Sequence, residues 1–338
     1  MRIALLSPPW ERVPPRAYGG IESVVSLLAD ELVNRGHAVT LYATADSETR
    51  ARLRAVCSEP LRATRVEDPV PSQLVHATRA LAESAEFDLL HNHGGEIPMA
   101  LARVSRCPFL TTIHGPLPPD AAIIWDHYAG WFNTISQASK ADLPSRNYLG
   151  VVYNGIDVDS FPFATEKDDY LLFLGRISAE KGTKEAIEVA RRVGRRLLIA
   201  GKIDRVDREY YRREVEPRVD GHLIQYLGEA DGPRKRELYR HAYCLLHPIT
   251  WPEPFGLVMA EAMACGTPVV GIRLGSVPEV VADGETGYVV DTLDEMVSAI
   301  GRLQDIDPSR CRARVAERFS IQHMVDGYES LYQKVLDG

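Results

Sequence analysis

The chain has 338 residues, of which 45% are apolar and 25% are charged, and its formal net charge is −8. This length is enough for two domains of ordinary size, and the composition is typical of a globular protein. The negative charge argues against nucleic acid as the main partner, because phosphate backbones bind basic surfaces.

The cysteines and the amino terminus indicate where the protein works. The five cysteines are scattered and odd in number, which favours free thiols in a reducing compartment. The apolar run at the start, MRIALLS, stops at Pro8 and is too short for a signal peptide. No apolar run approaches the ~20 residues of a membrane span. We therefore expect a cytoplasmic protein without an integral membrane segment.

The first half of the chain alternates predicted strands and helices. RIALLS (2–7) is typical of a buried strand, and IESVVSLLADELVNRG (21–36) carries apolar residues at helical spacing up to Gly36. Further predicted strands are HAVTLYAT (37–44), FDLLHNH (87–93), CPFLTTIHG (107–115), WFNTISQ (131–137) and VVYNGID (151–157). Short connections of this kind predict βαβ units and a parallel sheet covered by helices.

The segment DVDSFPFATEKDDY (157–170) carries a proline and a run of charges, and it marks a joint between two domains. The same alternation then resumes. The strands predicted after the joint are YLLFLGR (170–176), RRLLIAG (195–201), HLIQYLG (222–228), CLLHPI (244–249) and TPVVGI (267–272). Helices are predicted over 183–192, over 234–242, around Glu261 and over 320–336. The pattern predicts two doubly wound α/β halves facing a cleft, with ligands at the carboxyl ends of strands.

Several familiar chemistries are excluded by missing motifs. The chain has no G-x-G dinucleotide fingerprint, no Walker A loop, no HExxH and no GxSxG. Two D-x-D triplets, Asp157–Asp159 and Asp305–Asp307, lie in turn-rich sequence, which favours solvated turn acids over a metal site.

Two turns after strands carry groups that suit an anion. Tyr18-Gly19-Gly20 opens a helix, where backbone N–H groups and the helix dipole favour negative charge. Arg176 and Lys181 precede the helix 183–192 and could clamp a diphosphate. A plain tight turn and surface cations that serve solubility are the alternatives.

The stretch WPEPFGLVMAEAMACGTPVVG (251–271) places two carboxylates in an apolar surrounding. Pro254 and Gly256 delay the helix until Leu257, so Glu253 lies in the preceding loop and Glu261 lies one turn inside. Buried acids need partners, and ribose or hexose hydroxyls are suitable donors. Both glutamates as ordinary helix-start acids remain the alternative.

Three histidines close two predicted strands, His91 and His93 in LLHNHGG and His114 in TTIHG. A zinc site needs three or four ligands, and the nearby Cys107 lies at the opposite end of its strand. A neutral His114 that hydrogen-bonds a sugar hydroxyl is the better interpretation.

Taken together, the motifs resemble those of GT-B glycosyltransferases, and within them glycosyltransferase family 4, whose members are retaining and use nucleotide sugars. The resemblance covers nearly the whole chain, through YGGIESVV, TIHG, FNTIS, VVYNGIDVDSF, FLGRISAEKG, LIAG, YLG and EPFGLVMAEAMACGTPVVG with GSVPEVV and GETGYVV. The E-x7-E stretch is its most specific part. The resemblance implies two Rossmann-like doubly wound domains facing a deep cleft. Residues 1–158 would form the acceptor side and 165–319 the donor side, with the helix 320–338 crossing back onto the first domain.

The resemblance also implies a role for each matching residue. Glu261 would bind the ribose hydroxyls, while Arg176 and Lys181 would hold the diphosphate and stabilise its growing charge. His114 would contact the transferred sugar near the anomeric centre, and Glu253 would grip its hydroxyls. The expected catalytic residues are His114, Arg176, Lys181 and Glu253. The expected donor-binding residues are Gly19, Gly20, Arg176, Lys181, Leu227, Glu229, Glu253, Pro254, Phe255, Gly256, Leu257 and Glu261.

The function implied is metal-independent, retaining transfer of a hexosyl group from a nucleotide diphosphate sugar, with UDP favoured and GDP possible. The acceptor would be a hydroxyl of a soluble or weakly amphiphilic molecule such as a sugar, a glycan precursor or a natural-product aglycone. No cofactor is expected. The alternatives are a non-catalytic two-domain protein that binds a sugar or nucleotide, a nucleotide-sugar epimerase, or a sugar phosphorylase on the same scaffold.

Overall fold

The computed structural model describes residues 1–17, 19–64, 66–141 and 143–338, so Tyr18 of the predicted glycine turn lies outside the described residues. The strands are β1 (Arg2–Leu6), β2 (Ala38–Ala43), β3 (Arg52–Ala55), β4 (Leu89–Asn92), β5 (Phe109–Ile113), β6 (Trp131–Thr134), β7 (Tyr148–Val151), β8 (Tyr170–Leu174), β9 (Arg196–Ala200), β10 (Ile224–Tyr226), β11 (Cys244–His247), β12 (Val269–Ile272) and β13 (Gly287–Val290). The α-helices are α1 (Gly20–Asn34), α2 (Leu61–Thr64), α3 (Val70–Ala82), α4 (Glu96–Ala100), α5 (Ile123–His127), α6 (Thr183–Val193), α7 (Arg208–Tyr210), α8 (Gly232–His241), α9 (Leu257–Ala264), α10 (Val277–Val280), α11 (Leu293–Ile300), α12 (Pro308–Arg318) and α13 (Ile321–Asp337).

The chain divides into two compact units. Unit 1 comprises residues 1–155 and 321–338, and unit 2 comprises 156–320. Unit 1 holds a sheet in the order β3-β2-β1-β4-β5-β6-β7, and unit 2 holds one in the order β10-β9-β8-β11-β12-β13. All strand pairs in the described parts of both sheets are parallel. Counted within its unit, each sheet begins 3-2-1-4-5-6, which is the doubly wound order. The predicted α/β fold is confirmed.

The central strands are apolar because helices cover both faces of a parallel sheet. Residues 3–6 of β1 and all of β4 and β5 are buried. In unit 1, α1 buries the apolar stripe Val24, Val25, Leu28 and Leu32, which is the stripe that the sequence predicts.

The last helix, α13, packs against α1 within unit 1. The Arg35 guanidinium lies 2.6 Å from both the Asp326 and the Glu329 carboxylates of α13. A side chain at Gly327 would press on Val152, because a Cβ there would lie 3.0 Å from a Val152 methyl. The helix returns to the unit formed by the first 155 residues.

Several elements differ from the prediction. The strand expected at 151–157 lies earlier, at Tyr148–Val151, and Ile156 forms only a single bridge to Ser320. The segment before Val151 shows a weak apolar pattern because β7 is half-buried at the edge of its sheet. The sequence analysis also assigned no element to β3, α3, β13, α11 or α12.

All five cysteines are free thiols, and Cys244, Cys265 and Cys311 are buried. Across the part of the chain that the structure describes, no helix has the length and apolarity that crossing a membrane would take.

Candidate active site

In both sheets the strand order reverses beside the first strand of the unit, between β1 and β4 and between β8 and β11. Ligands of doubly wound sheets bind outside the carboxyl ends of the strands at this switch point. Residues singled out from the sequence lie in the loops that follow these strands. Arg176 comes two residues after β8, Glu253 follows β11, and His93 follows β4.

In unit 2 the loop after β8 packs against the loop after β11. The Thr250 N–H donates to the Glu180 carbonyl at 2.9 Å. Gly182, with a left-handed φ of 77°, has the Pro248 carbonyl oxygen only 1.8 Å from where a Cβ would stand. Only glycine allows this approach, and it brings Lys181 to the loop that carries Glu253.

Glu253 is buried, and its partners are supplied by the same loops. Its Oε2 forms an ion pair with the Lys181 ammonium and accepts a hydrogen bond from Trp251 Nε1 at 3.2 Å. The ammonium also lies 4.9 Å from the centre of the Trp251 ring, within cation–π range. Trp251 therefore supports the ion pair through both its ring and its N–H.

Glu261 lies one turn inside α9 and is likewise buried. Its Oε1 accepts from Lys235 Nζ at 2.7 Å, and its Oε2 accepts from the Tyr239 hydroxyl at 2.8 Å. Burial and the nearby Glu261 charge raise the pKa of Tyr239 well above its usual value, so the hydroxyl keeps its proton. Each oxygen has a further lone pair, so the carboxylate can accept from a ligand as well.

Lys235 and Tyr239 were missed by the sequence reasoning. They stand four residues apart on α8, on one face of the helix. A lysine and a buried tyrosine at this spacing in RKRELYRHA could have been recognised as partners for an acid on a neighbouring helix.

Arg176 lies between two carboxylates that the sequence reasoning also missed. Its guanidinium forms an ion pair with Glu180 and donates to Asp207 Oδ2 at 3.0 Å. Burial raises the pKa of Asp207 above its usual value, and the positive charge of Arg176 opposes this rise. The two cations predicted to hold a diphosphate thus each have a carboxylate partner inside unit 2.

The start of α9 has the predicted form, with Gly256 as a left-handed cap (φ 72°, ψ 67°) and Leu257 as the first helical residue. Pro254 and Phe255 are buried, and the Phe255 ring packs edge-on against Phe319 with 5.5 Å between ring centres. The Phe255 side chain therefore belongs to the core, which leaves the backbone as the part of this residue that a ligand could contact.

His247 ends β11 beside this cap and was not considered in the sequence analysis. It is 5% exposed, and burial lowers the pKa of its imidazole to about 4. Its Nε2 has no hydrogen-bond partner among the described residues. This atom lies 3.4 Å from the position a Cβ would take on Gly256, so a neutral, unpaired nitrogen lies at the start of α9.

The residues predicted to border a base follow β10. Leu227 is half-buried, its N–H donates to the Ile199 carbonyl at 2.9 Å, and Glu229 is exposed. Tyr226 anchors the segment, because its hydroxyl donates to the Gly201 carbonyl at 2.8 Å.

In unit 1, Gly19 caps α1, whose first residue is Gly20. The Gly19 carbonyl accepts from the Ser23 N–H at 3.0 Å and from the Ser23 hydroxyl at 2.7 Å. A Cβ on Gly19 would lie 2.7 Å from the Pro15 ring. Glu22, in the first turn, is buried, and this burial raises the pKa of its carboxyl to about 7.

His91, His93 and His114 lie together in one cluster within unit 1. His91 lies inside β4, and its two ring nitrogens bond the Tyr332 hydroxyl (2.8 Å) and Thr112 Oγ1 (2.7 Å). His93 Nδ1 lies 2.8 Å from His114 Nε2. Burial lowers the pKa of all three imidazoles, that of His114 to about 3, so the rings are neutral at pH 7. His91 is therefore structural, whereas His114 is half-buried at a strand end.

Within residues 1–17, 19–64, 66–141 and 143–338, no three His, Cys, Asp or Glu side chains are grouped so that they could hold a metal ion. The carboxylates of both D-x-D triplets are exposed, as predicted, and Asp307 accepts from the Ser309 N–H at 2.8 Å to cap α12.

Sequence comparison agrees with this geometry. Residues 157–316 match the family described as "Glycosyl transferases group 1", and residues 18–160 match "Glycosyltransferase Family 4". The chain is 30% identical to the phosphatidyl-myo-inositol mannosyltransferase of Mycolicibacterium smegmatis, over 94% of this chain and 89% of that protein. It is 27% identical to the D-inositol 3-phosphate glycosyltransferase of the same organism, over 94% and 87%.

Solved structures give the same result. The glycosyltransferase AviGT4, involved in avilamycin A biosynthesis, superimposes with a TM-score of 0.75 at 27% identity, over 100% of this chain and 98% of that one. Anabaena Alr3699/HepE in complex with UDP and glucose shares the fold at 18% identity with a TM-score of 0.77, over 99% and 100%. The fold and site thus define an α/β glycosyltransferase of the GT-B type. The chain belongs to glycosyltransferase family 4.

Proposed function

We propose that this glycosyltransferase moves a hexosyl group from a nucleotide diphosphate sugar to an acceptor hydroxyl, with retention of configuration and without a metal ion. UDP is the favoured nucleotide and GDP the second choice. The observation that carries the proposal is the pairing in unit 2 of two buried carboxylates with cations: Glu253 with Lys181, in the loop after β8, and Glu261 with Lys235, on α8. Such a set suits a ligand that combines hydroxyls with phosphate.

The proposed roles use hydrogen-bond donors and acceptors of these side chains beyond the contacts described above. Arg176 has five N–H donors and Lys181 has three, so each can keep a carboxylate and still donate to a diphosphate oxygen. Glu261 has a lone pair left on each oxygen for the two vicinal hydroxyls of a ribose. Glu253 and the backbone of 254–257 would hold hydroxyls of the sugar, and His114 would contact that sugar near its anomeric carbon. Gly19 and Gly20 would approach the phosphates, while Leu227 and Glu229 would border the base.

Donor binding is assigned to residues 165–319, and acceptor binding to residues 1–158 with the helix 320–338. UDP is supported by the neighbour crystallised with UDP-glucose. The mannosyltransferase and inositol phosphate glycosyltransferase names of the relatives support a hexosyl group and a hydroxyl-bearing acceptor. We propose a soluble or weakly amphiphilic acceptor.

In the proposed reaction the acceptor oxygen attacks the anomeric carbon from the face that the diphosphate leaves. The bond from that carbon to the diphosphate oxygen breaks as the new bond to the acceptor oxygen forms. The acceptor's proton passes to the departing diphosphate oxygen. Arg176 and Lys181 would stabilise the negative charge that grows there, an effect that favours the transition state over the ground state.

A thermal-shift titration with UDP, GDP and ADP, with and without EDTA, tests donor binding. A nucleotide at 100 times its Kd adds about 2.7 kcal/mol of stability, which raises Tm by several degrees in a chain of this size. We expect a shift with UDP that EDTA leaves unchanged and that Glu261→Ala abolishes. Glu317→Ala, at an exposed position of α12 in the same unit, should keep it. No shift with any of the three nucleotides would contradict the proposal.

A further inference from the structure

The contact between His93 and His114 follows from the sheet topology. His93 comes directly after β4, and His114 comes directly after β5. These strands are parallel neighbours, so their carboxyl ends meet and bring the two rings together. His93 Nδ1 and His114 Nε2 lie 2.8 Å apart, a normal hydrogen bond. His93 is 2% exposed, whereas His114 is only half-buried.

This hydrogen bond restricts where the protons can be. Burial keeps both rings neutral, and a neutral imidazole carries one N–H. Either His93 donates from Nδ1, which leaves the His114 proton on Nδ1, or His114 donates from Nε2, which leaves the His93 proton on Nε2. The direction of this hydrogen bond therefore decides whether His114 Nδ1, the ring nitrogen that His93 does not contact, is a donor or an acceptor.

The surroundings of His93 distinguish the two arrangements. Its Nε2 is buried and has no hydrogen-bond partner among the described residues. Aromatic rings pack around the His93 ring, whose centre lies 4.0 Å from the His91 ring centre and 6.2 Å from the Tyr328 ring centre. An orphaned N–H in such a place is rarer than an under-satisfied acceptor. The proton of His93 accordingly belongs on Nδ1, in the bond to His114.

The neighbouring His91 is held in one orientation and supports His93. The Thr112 hydroxyl donates to Asn133 Oδ1 at 2.8 Å, so it accepts from His91 Nε2, and Tyr332 then donates to His91 Nδ1. Tyr332 belongs to α13. The last helix thus fixes the ring against which His93 packs.

We propose that His93 is a positioning residue that holds His114 as the neutral tautomer with its proton on Nδ1, so that His114 donates a hydrogen bond from this atom. In the proposed function, on which this part of the inference rests, the acceptor of that bond is an oxygen of the transferred sugar. A neutral donor suits this position, because an imidazolium would repel the positive charge that develops on the anomeric centre.

The tautomer can be measured without any substrate. Long-range ¹H–¹⁵N correlation spectra of ¹⁵N-histidine-labelled protein report which ring nitrogen carries the proton, and the His114 signals are assigned by their loss in His114→Gln. We expect His114 to be protonated on Nδ1 in the wild-type protein. A wild-type His114 protonated on Nε2 would overturn the proposal, whatever the donor turns out to be.

Two variants test the consequence for catalysis. In His93→Asn the side-chain amide replaces Nδ1 and can still donate to His114, whereas His93→Leu cannot. We expect His93→Leu to give a mixture of His114 tautomers and to lower kcat by about 10- to 100-fold. His93→Asn should keep mostly the Nδ1-protonated tautomer of His114 and most of the wild-type kcat. The nucleotide-induced thermal shift should be unchanged in both variants. A wild-type kcat in His93→Leu with a mixed tautomer would refute the positioning role.

His76→Leu controls for the loss of a buried imidazole. His76 lies in α3 of the same unit, is 2% exposed and hydrogen-bonds the Ser7 carbonyl. It should destabilise the protein without changing kcat or the His114 tautomer. A fall in kcat as large as that of His93→Leu would show that the effect of His93→Leu is structural.

Discussion

The two units use one strand order to build chemically different sites. At its switch point, unit 2 places paired charges, with Lys181 on Glu253, Lys235 on Glu261 and Arg176 between two acids. Unit 1 places neutral groups at its own switch point, where imidazoles hydrogen-bond each other and hydroxyls. A shared scaffold therefore does not determine electrostatics. The side chains after the strands do, and they are paired charges in unit 2 and neutral imidazoles and hydroxyls in unit 1.

The largest effect is expected from removing Lys181, the cation of the buried ion pair with Glu253. Lys181→Met should leave Glu253 buried without its charge partner, which costs about 3–5 kcal/mol of unfolding free energy. It should also lower kcat by about 100- to 1,000-fold, because in the proposed reaction the Lys181 ammonium stabilises the charge on the leaving diphosphate. Urea unfolding and steady-state kinetics measure the two effects.

The double variant Lys181→Met/Glu253→Gln separates stability from function. It should recover most of the stability, because no unpaired charge remains, but none of the activity. Lys184→Met removes a more exposed lysine of the same unit and should change both quantities little. Recovery of activity in the double variant would mean that Lys181 serves only to neutralise Glu253.

Glu22 is an exception to this contrast, because it is a buried acid in unit 1, in the first turn of α1. Burial is the main cause that raises the pKa of the Glu22 carboxyl. The charge of Glu11 raises it further, whereas the charge of Arg62 and the backbone N–H of Glu22 lower it. Since the pKa in the folded state is raised to about 7, the native protein binds more protons than the unfolded chain between about pH 4.5 and 7. Unfolding free energy should therefore fall as pH rises through this range, by up to about 3 kcal/mol.

Glu22→Gln should remove this loss, because the amide cannot ionise. Urea unfolding at pH 5 and pH 8 checks it, with the variant more stable than the wild type at pH 8 and similar at pH 5. Glu96→Gln, at a half-buried position in unit 1, serves as the control. Equal pH dependence in Glu22→Gln and the wild type would show that Glu22 ionises normally.

The smallest effect is expected from removing Lys235, whose ammonium holds the Glu261 carboxylate in place. Lys235→Met should weaken UDP binding by about tenfold, the value of one charged hydrogen bond. It should also reduce the preference for UDP over 2′-deoxy-UDP, because Glu261 would no longer be held for the vicinal hydroxyls. Isothermal titration calorimetry measures both constants. Arg234→Met, on an exposed position of the same helix, should preserve the preference, and an unchanged preference in Lys235→Met would exclude the orienting role.

Local sequence signals predicted much of the fold and the residues that follow the central strands. Gly256, Pro254 and Gly266 bracket α9 because glycine and proline act through their own backbone. The elements that were missed lack such signals. β3 is a half-exposed edge strand, and α12 buries only Cys311 and Val315 in a charged sequence.

The sequence by itself determined the alternation of elements, the doubly wound class and the identity of the acids and cations at the strand ends. These depend on periodicity and on residues within a few positions of each other. Only the tertiary structure decided which groups pair. Lys235 meets Glu261 across 26 residues, Lys181 meets Glu253 across 72, and Tyr332 meets His91 across 241. Such contacts depend on how helices and strands pack, and packing brings together residues whose separation along the chain carries no signal.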